Sequence, residues 1–236
     1  MTNRISNPQN RLTVIMPVFN EVGTIREIIR RVADTGLVAE IVVVDDGSTD
    51  GTGEILKELE SRKEIILITH ERNQGKGAAI RSGLALASSD LVLIQDADLE
   101  YDPRDYTALL EPIQEGLAEV VYGSRFLGGP RRPILFWNMV ANRILTLTTN
   151  ILYNNILTDM ETGYKLFKRD VLSGIRIRAN RFDFEPEFTA KIFKKKVRIY
   201  EVPIRFTPRY YQEGKKIGLA DAVVALWALI KYRFVD

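Results

Sequence analysis

Two aspartates, Asp96 and Asp98, stand one residue apart just after an entirely apolar segment, residues 91–94. An apolar run of this length predicts a buried strand, so both carboxylates should leave the protein core together where the strand ends. Mg²⁺ and Mn²⁺ prefer oxygen ligands and often complete their coordination with substrate phosphates. The pair therefore predicts a Mg²⁺ or Mn²⁺ site beside a diphosphate, with Glu100 as a third metal ligand. The alternative interpretation is that the two aspartates only cap the following turn.

Three more polar segments follow predicted strands in the same way. They are residues 17–21 (Pro-Val-Phe-Asn-Glu), 45–48 (Asp-Asp-Gly-Ser) and 73–77 (Asn-Gln-Gly-Lys-Gly). In a parallel sheet, ligands bind beyond the carboxyl ends of the strands. We therefore expect four loops, including the one that carries Asp96, to meet at one crevice.

The loop that begins at Asp46 has to be distinguished from other ligand-binding loops. Residues 46–51 match the first half of a calcium-binding helix-loop-helix site, but its twelfth position, which requires glutamate, is Lys57. Residues 73–77 lack the spacing of a P-loop, and no Gly-x-Gly-x-x-Gly motif follows the first predicted strand. We expect Asp45 or Asp46 to accept a hydrogen bond from a ribose or a base, and Asp50 to cap the next helix.

The elements that must position these loops alternate between strands and helices along the first hundred residues. Short apolar runs predict buried strands at residues 12–16, 41–44, 65–68 and 91–94. Apolar residues spaced three and four apart predict helices at residues 21–33, 52–60 and 77–87. This alternation predicts an α/β fold, with a mostly parallel sheet and helices on both of its faces.

Beyond residue 102 the pattern is less regular. Helices are predicted at residues 103–115, 186–195 and 219–234, and strands at residues 120–123, 164–167 and 197–202. A basic loop, residues 125–133, leads into an amphipathic segment, residues 134–157, of the kind that lies against another surface. We divide the chain into a polar N-terminal tail (1–11), one α/β domain (12–218) and a C-terminal helix (219–236).

The composition excludes several kinds of chemistry. There is no cysteine and one histidine, His70, which rules out thiolate metal sites, cysteine nucleophiles and most zinc sites. A net charge of +2 lacks the basic excess of nucleic-acid-binding proteins, so no nucleic-acid partner is expected. The polar N-terminus has no signal-peptide pattern, and the longest apolar run, residues 222–230, falls short of the roughly 18 residues that span a bilayer. We therefore expect a cytoplasmic protein that does not cross a membrane by itself.

Taken together and in this order, the motifs at the strand ends resemble the inverting GT-A glycosyltransferases. These motifs are Pro17-x-x-Asn20-Glu21, Asp45-Asp46-Gly47-Ser48-x-Asp50-Gly51, Asn73-x-Gly75-Lys76-Gly77 and Asp96-Ala97-Asp98. A narrower resemblance, to the dolichol-phosphate (polyprenol-phosphate) mannose synthase group, rests on Gly123-Ser124-Arg125, Thr162-Gly163-Tyr164-Lys165, Phe184-Glu185-Pro186-Glu187, Glu201-Val202-Pro203-Ile204, Arg209 and Glu213-Gly214-Lys215-Lys216. The resemblance covers nearly the whole chain after residue 11. It implies a GT-A, Rossmann-like fold with C-terminal amphipathic helices.

The resemblance also implies which residues bind a nucleotide sugar. The expected set is Pro17, Phe19, Glu21, Val44, Asp46, Lys76, Asp96, Ala97, Asp98, Arg209 and Lys215. Within it, Asp96 and Asp98 would bind the metal and the diphosphate, and Arg209 and Lys215 would lie near donor or acceptor phosphates. Glu100 departs from the pattern, because polyprenol-phosphate mannose synthases tend to have glutamine there, and it adds negative charge to the metal site.

The expected reaction is the transfer of a hexose to a polyprenyl or dolichyl phosphate. A phosphomonoester has its second pKa at about 6, so at neutral pH it is largely a dianion that needs no strong general base. Asp98 and Arg125 are the expected catalytic residues, and Arg125, Arg131 and Arg132 are expected to bind the acceptor phosphate. Mannose from GDP-mannose is the favoured donor sugar, with glucose from UDP-glucose as the alternative.

Two other functions fit the same residues. A soluble or glycan hydroxyl acceptor needs a general base, for which Glu187 and Asp159 are the candidates. Glu187 is as readily interpreted as a solvated carboxylate in the first turn of a helix. A non-catalytic nucleotide-sugar-binding protein is the alternative from another class, but such a protein has no use for Asp98 and Arg125 together.

A polyprenyl phosphate does not leave the bilayer easily, so an enzyme acting on it has to dock on the membrane surface. Residues 134–157 carry apolar and aromatic side chains beside Arg131 and Arg132, a combination typical of interfacial helices. The C-terminal helix can share this role. The alternative is that the segment packs on the core or in a homodimer. We expect peripheral association with the cytoplasmic face of a membrane, alone or with a membrane-anchoring partner.

Overall fold

A mixed sheet of seven strands forms the centre of the computed structural model, which describes residues 12–209 and 219–235. The strands are β1 (Leu12–Val18), β2 (Val38–Asp45), β3 (Ile66–Thr69), β4 (Leu91–Ile94), β5 (Val120–Ser124), β6 (Lys165–Lys168) and β7 (Ile199–Pro203). Their order across the sheet is β3-β2-β1-β4-β6-β5-β7. Only β6 runs antiparallel to its neighbours, β4 and β5. The predicted mostly parallel sheet is confirmed.

The strand order reverses between β1 and β4. From β1 the chain runs outward through β2 and β3, and it then returns to pair β4 with the other side of β1. Crevices at such a reversal, beyond the carboxyl ends of the strands, are where open α/β sheets bind their ligands. The loop after β1 and the loop that carries Asp96 and Asp98 both lie at this point.

Helices cover both faces of the sheet, as predicted. They are α1 (Ile25–Asp34), α2 (Thr52–Ser61), α3 (Lys76–Leu86), α4 (Tyr106–Gln114), α5 (Phe136–Tyr153), α6 (Phe184–Lys195) and α7 (Leu219–Phe234). Helices α1, α2 and α4 contribute to the hydrophobic core on one face, and α3, α5, α6 and α7 contribute to the core on the other. Successive residues of one strand therefore enter different cores, and Val14 and Ile15 of β1 are an example.

Burial on both faces explains why the central strands read as uninterrupted apolar runs rather than as alternating patterns. All four residues of β4 are buried. Helix α3 approaches β1 closely because Gly83 has no side chain. A β-carbon at Gly83 would come within 2.5 Å of a methyl carbon of Ile15.

Several helix boundaries differ from the predicted ones for local reasons. Helix α1 starts at Ile25 rather than at residue 21, because residues 21–24 form a turn in which the Glu21 carbonyl accepts the N–H groups of Thr24 and Ile25. The predicted helix at residues 103–115 is divided into a 3₁₀ turn, Pro103–Asp105, and α4. Helix α5 is shorter than the predicted amphipathic segment and stops before Asn154, which has a left-handed backbone conformation (φ 50°).

Helix α7 packs against α5 and α6, and the Tyr153 hydroxyl donates a hydrogen bond of 2.9 Å to the Leu229 carbonyl. Among the residues that the structure describes, no helix is both long enough and apolar enough to cross a bilayer. The division into a tail, a domain and a C-terminal helix stays a prediction.

Candidate functional site

The loops after β1 and β2 are joined by hydrogen bonds at the mouth of the crevice. The backbone N–H of Asn20 donates to the Ser48 hydroxyl at 2.9 Å, and the side-chain oxygen of Asn20 accepts the N–H of Thr49 at 2.8 Å. Asn20 has a positive φ of 54°, which asparagine tolerates better than most residues. Asp50 accepts the N–H of Thr52, the first residue of α2, but Gly51 rather than Asp50 is the N-cap residue of that helix.

Asp46 connects the β2 loop to the loop before α3. Its carboxylate accepts the N–H groups of Gln74 at 2.9 Å and Gly75 at 2.7 Å, and it contacts the His70 ring nitrogen Nδ1 at 2.7 Å. The other ring nitrogen of His70 lies 2.9 Å from the Ser82 hydroxyl. Asp46 is only 3% exposed, so its first role is to hold these loops together. Its contact with a nucleoside stays a prediction.

The other residues expected to contact the nucleoside differ in how accessible they are. Pro17 and Phe19 are partly buried at the end of β1. Val44 is fully buried, and a methyl group of its side chain lies beneath α3 at Gly83. The Val44 side chain therefore has no exposed surface, and the contact of Val44 with a nucleotide sugar stays a prediction. Ala97 is 3% exposed, and Lys215 lies outside the described residues.

Lys76, the first residue of α3, reaches the aspartate pair. Its ammonium group lies 2.8 Å from an Asp96 oxygen and 2.9 Å from a Glu185 oxygen. Burial alone would lower the pKa of Lys76, but the two carboxylates outweigh burial and raise it well above its ordinary value. Lys76 is therefore a permanent cation beside the predicted diphosphate site.

A second cation, Arg209, lies on the other side of the aspartate pair. Its two terminal nitrogens each lie 3.0 Å from one Glu21 oxygen, and one of them lies 3.1 Å from Asp98. The Arg209 backbone N–H donates to Glu100 at 2.7 Å. Burial, and then repulsion by Asp96 and Glu100, raise the pKa of Asp98 to about 7 against the opposing charge of Arg209.

The Asp96 and Asp98 side chains are 19% and 18% exposed, and the negative charge gathered here suits a divalent cation. In the described part of the chain, however, no three acidic or histidine side chains are grouped as a metal site. One Glu100 oxygen accepts the Arg209 N–H, and the expectation that Glu100 adds a third metal ligand stays a prediction. Asp96 and Asp98 stay predicted metal ligands, and a cation bound there would complete its coordination with substrate oxygens and water.

Arg125 is held by Asp159 in a buried two-point ion pair. Both nitrogen–oxygen distances are 2.7 Å, and Asp159 also accepts hydrogen bonds from the Arg125 backbone N–H and the Asn142 amide. Burial would raise the pKa of Asp159, but the charge and hydrogen bonds of Arg125 outweigh it and keep that pKa below its usual value. The expectation that Asp159 is a general base is therefore wrong, because the carboxylate is fully buried and saturated.

Glu187 is not a general base either, nor is it a solvated carboxylate. It is completely buried, lies 2.7 Å from the Lys191 ammonium group, and accepts the backbone N–H groups of Arg178 and Ala179. These contacts fix the segment before α6, and a carbonyl of that segment, at Asn180, lies against Gly75. Glu187 thus stabilises the segment that packs against the loop before α3.

The basic loop places its two other arginines at the surface. Arg131 donates a hydrogen bond of 3.0 Å to the Arg125 carbonyl, and the Arg132 N–H donates to the Phe206 carbonyl at 2.9 Å. Both residues are exposed. Their role in binding an acceptor phosphate stays a prediction.

A polar cluster beside Asp96 was not predicted from the sequence. It contains Glu161, Lys165 and Glu185, of which Lys165 is fully buried and donates hydrogen bonds to the carbonyls of Met160 and Thr162. One carboxylate oxygen of Glu161 and one of Glu185 are buried without a hydrogen-bond partner among the described residues. Lys165 and Glu185 belong to the motifs at residues 162–165 and 184–187, which were the available signal. Unpaired carboxylate oxygens at this position can accept hydrogen bonds from sugar hydroxyl groups.

Comparisons with known proteins agree with this geometry. Residues 13–176 match the family model described as Glycosyl transferase family 2. The chain is 30% identical over 213 residues to a dolichol-phosphate mannosyltransferase of Pyrococcus furiosus, matching 88% of this chain and 60% of that protein's length. It is 31% identical over 215 residues to a UDP-N-acetylglucosamine–dolichyl-phosphate N-acetylglucosaminyltransferase of Methanococcus voltae, matching 81% of this chain and 84% of that protein.

Solved structures share the fold. The structure of glucosyl-3-phosphoglycerate synthase from Mycobacterium tuberculosis, in complex with Mn²⁺, uridine diphosphate and phosphoglyceric acid, superposes with a TM-score of 0.74 at 21% identity. The match covers 97% of this chain and 80% of that one. The predicted GT-A architecture is thereby confirmed.

Proposed function

The chain belongs to glycosyl transferase family 2, and from this membership and the crevice geometry we propose that it transfers a hexosyl group, with inversion, from a nucleoside diphosphate to a polyprenyl or dolichyl phosphate. Mannose from GDP-mannose is the favoured donor. Glucose or N-acetylglucosamine from a uridine diphosphate is the alternative, because the relatives differ in the donor that their names specify. The observation that carries the proposal is the partly buried aspartate pair, Asp96 and Asp98, set between the cations Lys76 and Arg209.

Asp96 and Asp98 would hold Mg²⁺ or Mn²⁺, which neutralises the leaving diphosphate and polarises its bond to the sugar. In the structure Lys76 contacts Asp96 and Arg209 contacts Asp98. When those carboxylates bind a metal, the two cationic side chains become available to phosphate oxygens of the donor. The chain thereby brings positive charge to the diphosphate from both sides of the aspartate pair.

The acceptor phosphate supplies its own nucleophile. One of its oxygens forms a bond to the anomeric carbon from the face opposite the diphosphate, while the bond from that carbon to the diphosphate oxygen breaks and nucleoside diphosphate leaves. Because the phosphate is largely dianionic at neutral pH, no residue has to remove a proton. Both carboxylates considered as a base for a hydroxyl acceptor, Glu187 and Asp159, are buried and paired, and this favours a phosphate acceptor.

Helices α5 and α7 support docking on a membrane surface. They pack against each other, and each exposes large apolar side chains. These side chains are Phe136, Trp137, Ile144, Leu147 and Ile151 of α5, and Val223, Trp227 and Phe234 of α7. The basic residues Arg131, Arg132, Lys231 and Arg233 are also exposed on or next to these helices. Aromatic and apolar surface combined with cations suits the interface of a bilayer that contains anionic lipids.

A transfer assay tests the proposed function. Purified protein is incubated with radiolabelled GDP-mannose, UDP-glucose or UDP-N-acetylglucosamine, with undecaprenyl phosphate in phosphatidylcholine vesicles and with Mg²⁺ or Mn²⁺. We expect one donor to label the lipid, and the anomeric proton coupling in an NMR spectrum of the product to show inversion. Labelling of a soluble hydroxyl acceptor without labelling of the lipid would show that the acceptor assignment is wrong.

A further inference from the structure

Three guanidinium groups surround the ring of Phe126. Their central carbons lie 5.8 Å (Arg125), 5.1 Å (Arg131) and 4.5 Å (Arg143) from the ring centroid. An aromatic face attracts each cation, but cations gathered at one ring repel one another. Such a cluster is stabilised when an anion joins it.

Only one of these cations is neutralised within the described part of the chain. Arg125 is paired with Asp159 and is largely buried. Arg131 donates to the Arg125 carbonyl, and Arg143 has no carboxylate partner among the residues described. Arg131 and Arg143 are both exposed. Two cations that lack carboxylate partners therefore face the solvent beside the same ring.

The position of Arg143 on α5 is a second, independent observation. Arg143 is the only charged residue of this helix. It stands seven residues after Phe136 and four before Leu147, and these spacings place all three side chains on one side of a helix. Phe136 and Leu147 are 62% and 59% exposed. A single arginine within an apolar stripe that rests on a bilayer extends its guanidinium group to the level of the phosphates.

We propose that Arg143 and Arg131, arranged against Phe126, form the site that receives the phosphate of a prenyl phosphate acceptor. This inference rests on the proposed function and adds two residues, Arg143 and Phe126, to the acceptor site. The ligand chemistry is a phosphomonoester dianion, which guanidinium groups bind through charge-assisted hydrogen bonds. Arg125, fixed by Asp159, is a positioning residue, because its carbonyl holds Arg131 in place.

Steady-state transfer to farnesyl phosphate, which is assayed without vesicles, tests the site. We expect Arg143→Ala to raise KM for farnesyl phosphate by about tenfold or more, since it removes a hydrogen bond to a charged group. Arg143→Lys and Phe126→Leu should give smaller increases, because lysine keeps the charge without the planar fork and leucine removes the aromatic face. Donor KM, donor hydrolysis and the melting temperature should stay at wild-type values. Arg62→Ala, which removes an exposed arginine directly after α2, is the matched control and should behave as wild type.

A vesicle-binding experiment distinguishes an acceptor phosphate from an ordinary lipid headgroup. Wild type and Arg143→Ala are sedimented with acceptor-free vesicles of phosphatidylcholine and phosphatidylserine. If Arg143→Ala weakens this binding while KM for farnesyl phosphate is unchanged, Arg143 binds membrane headgroups and the acceptor-site proposal is overturned. If wild type transfers sugar to neither farnesyl nor undecaprenyl phosphate, the proposed function fails and the acceptor site fails with it. If wild type is active and Arg143→Ala has the same KM for farnesyl phosphate as wild type, the acceptor-site proposal is overturned while the proposed function is not.

Discussion

The guanidinium group of Arg209 meets the carboxylate of Glu21 in a two-point ion pair, with both nitrogen–oxygen distances at 3.0 Å, although 188 positions separate the two residues. Glu21 follows β1 and Arg209 follows β7, so the pair joins the two ends of the domain across the crevice. The same guanidinium group contacts Asp98. One side chain thus links the segment after the last strand to the predicted metal ligands.

Replacing Arg209 should therefore affect the donor site more than the fold. We expect Arg209→Ala to raise KM for the nucleotide sugar by about tenfold, because a cation beside the diphosphate is lost. Donor KM is measured from initial rates at saturating acceptor. Arg104→Ala is the control, since the Arg104 side chain is 74% exposed and a surface ion pair of this kind contributes little. An equal increase in donor KM for both variants would contradict the assignment of Arg209 to the donor site.

Metal dependence follows from the aspartate pair. We expect chelation with EDTA to stop transfer, and Asp98→Asn to lower kcat by about a hundredfold or more. The melting temperature should hardly change, because the neutral side chain relieves repulsion by Asp96 and Glu100 as it gives up the contact with Arg209. Isothermal titration with Mn²⁺ gives the affinity directly, and Asp102→Asn serves as the matched control. Full activity in EDTA would refute the metal assignment.

The Arg125–Asp159 pair should be important for stability. Asp159→Asn leaves a largely buried guanidinium group without its counter-charge, which costs roughly 3–5 kcal/mol in comparable buried pairs. Urea unfolding measures the free energy of unfolding. The double variant Arg125→Met with Asp159→Asn should recover part of the loss, since it leaves no unpaired charge. If the double variant loses as much unfolding free energy as the two single variants together, the two residues are not coupled.

The polar cluster beside Asp96 should make stability depend on pH. Burial, followed by repulsion from Glu185, raises the pKa of Glu161 from 4.5 to about 8. Between these two values the folded protein retains a proton that the unfolded chain has released, so the free energy of unfolding should fall as pH rises through this window. Glutamine does not ionise, so we expect the free energy of unfolding of Glu161→Gln to fall less than that of wild type between pH 5 and pH 8. Melting temperatures of both proteins at each pH provide the measurement, and parallel curves would contradict the shifted pKa.

Membrane docking can be tested by flotation with liposomes that contain anionic lipid. Wild type should float at low salt, and less of it should float as ionic strength rises and screens the basic residues. Trp137→Ser should float less, because it removes a side chain that is 71% exposed on α5. Leu86→Ser, which changes an exposed apolar residue on α3, should float as wild type does. If wild type remains entirely in solution at low salt, the apolar surface of α5 and α7 serves another partner, such as a second copy of the chain.

The sequence was informative where function depends on neighbouring residues and on strand ends. The run at residues 91–94 coincides with β4, and the aspartates that follow it lie at the crevice as expected. The two suggested general bases failed for a common reason. A sequence shows that Asp159 and Glu187 are carboxylates, but the groups that saturate them are determined by the tertiary fold, and the Asp159 partner lies 34 positions away. The cluster of Glu161 and Glu185 was missed because long-range packing brings its members together.

An apolar pattern does not show the direction of a strand, so the antiparallel direction of β6 could not be predicted. The position of β6 in the sheet also has a consequence for folding. β6 lies between β4 and β5 and runs against both. During synthesis β4 is complete long before residues 165–168 emerge, so one edge of the nascent four-stranded sheet has unpaired backbone groups in the meantime. Exposed edges of this kind favour association with other chains. We infer that folding of the second half, rather than of the first, determines how long the newly made protein is vulnerable to aggregation.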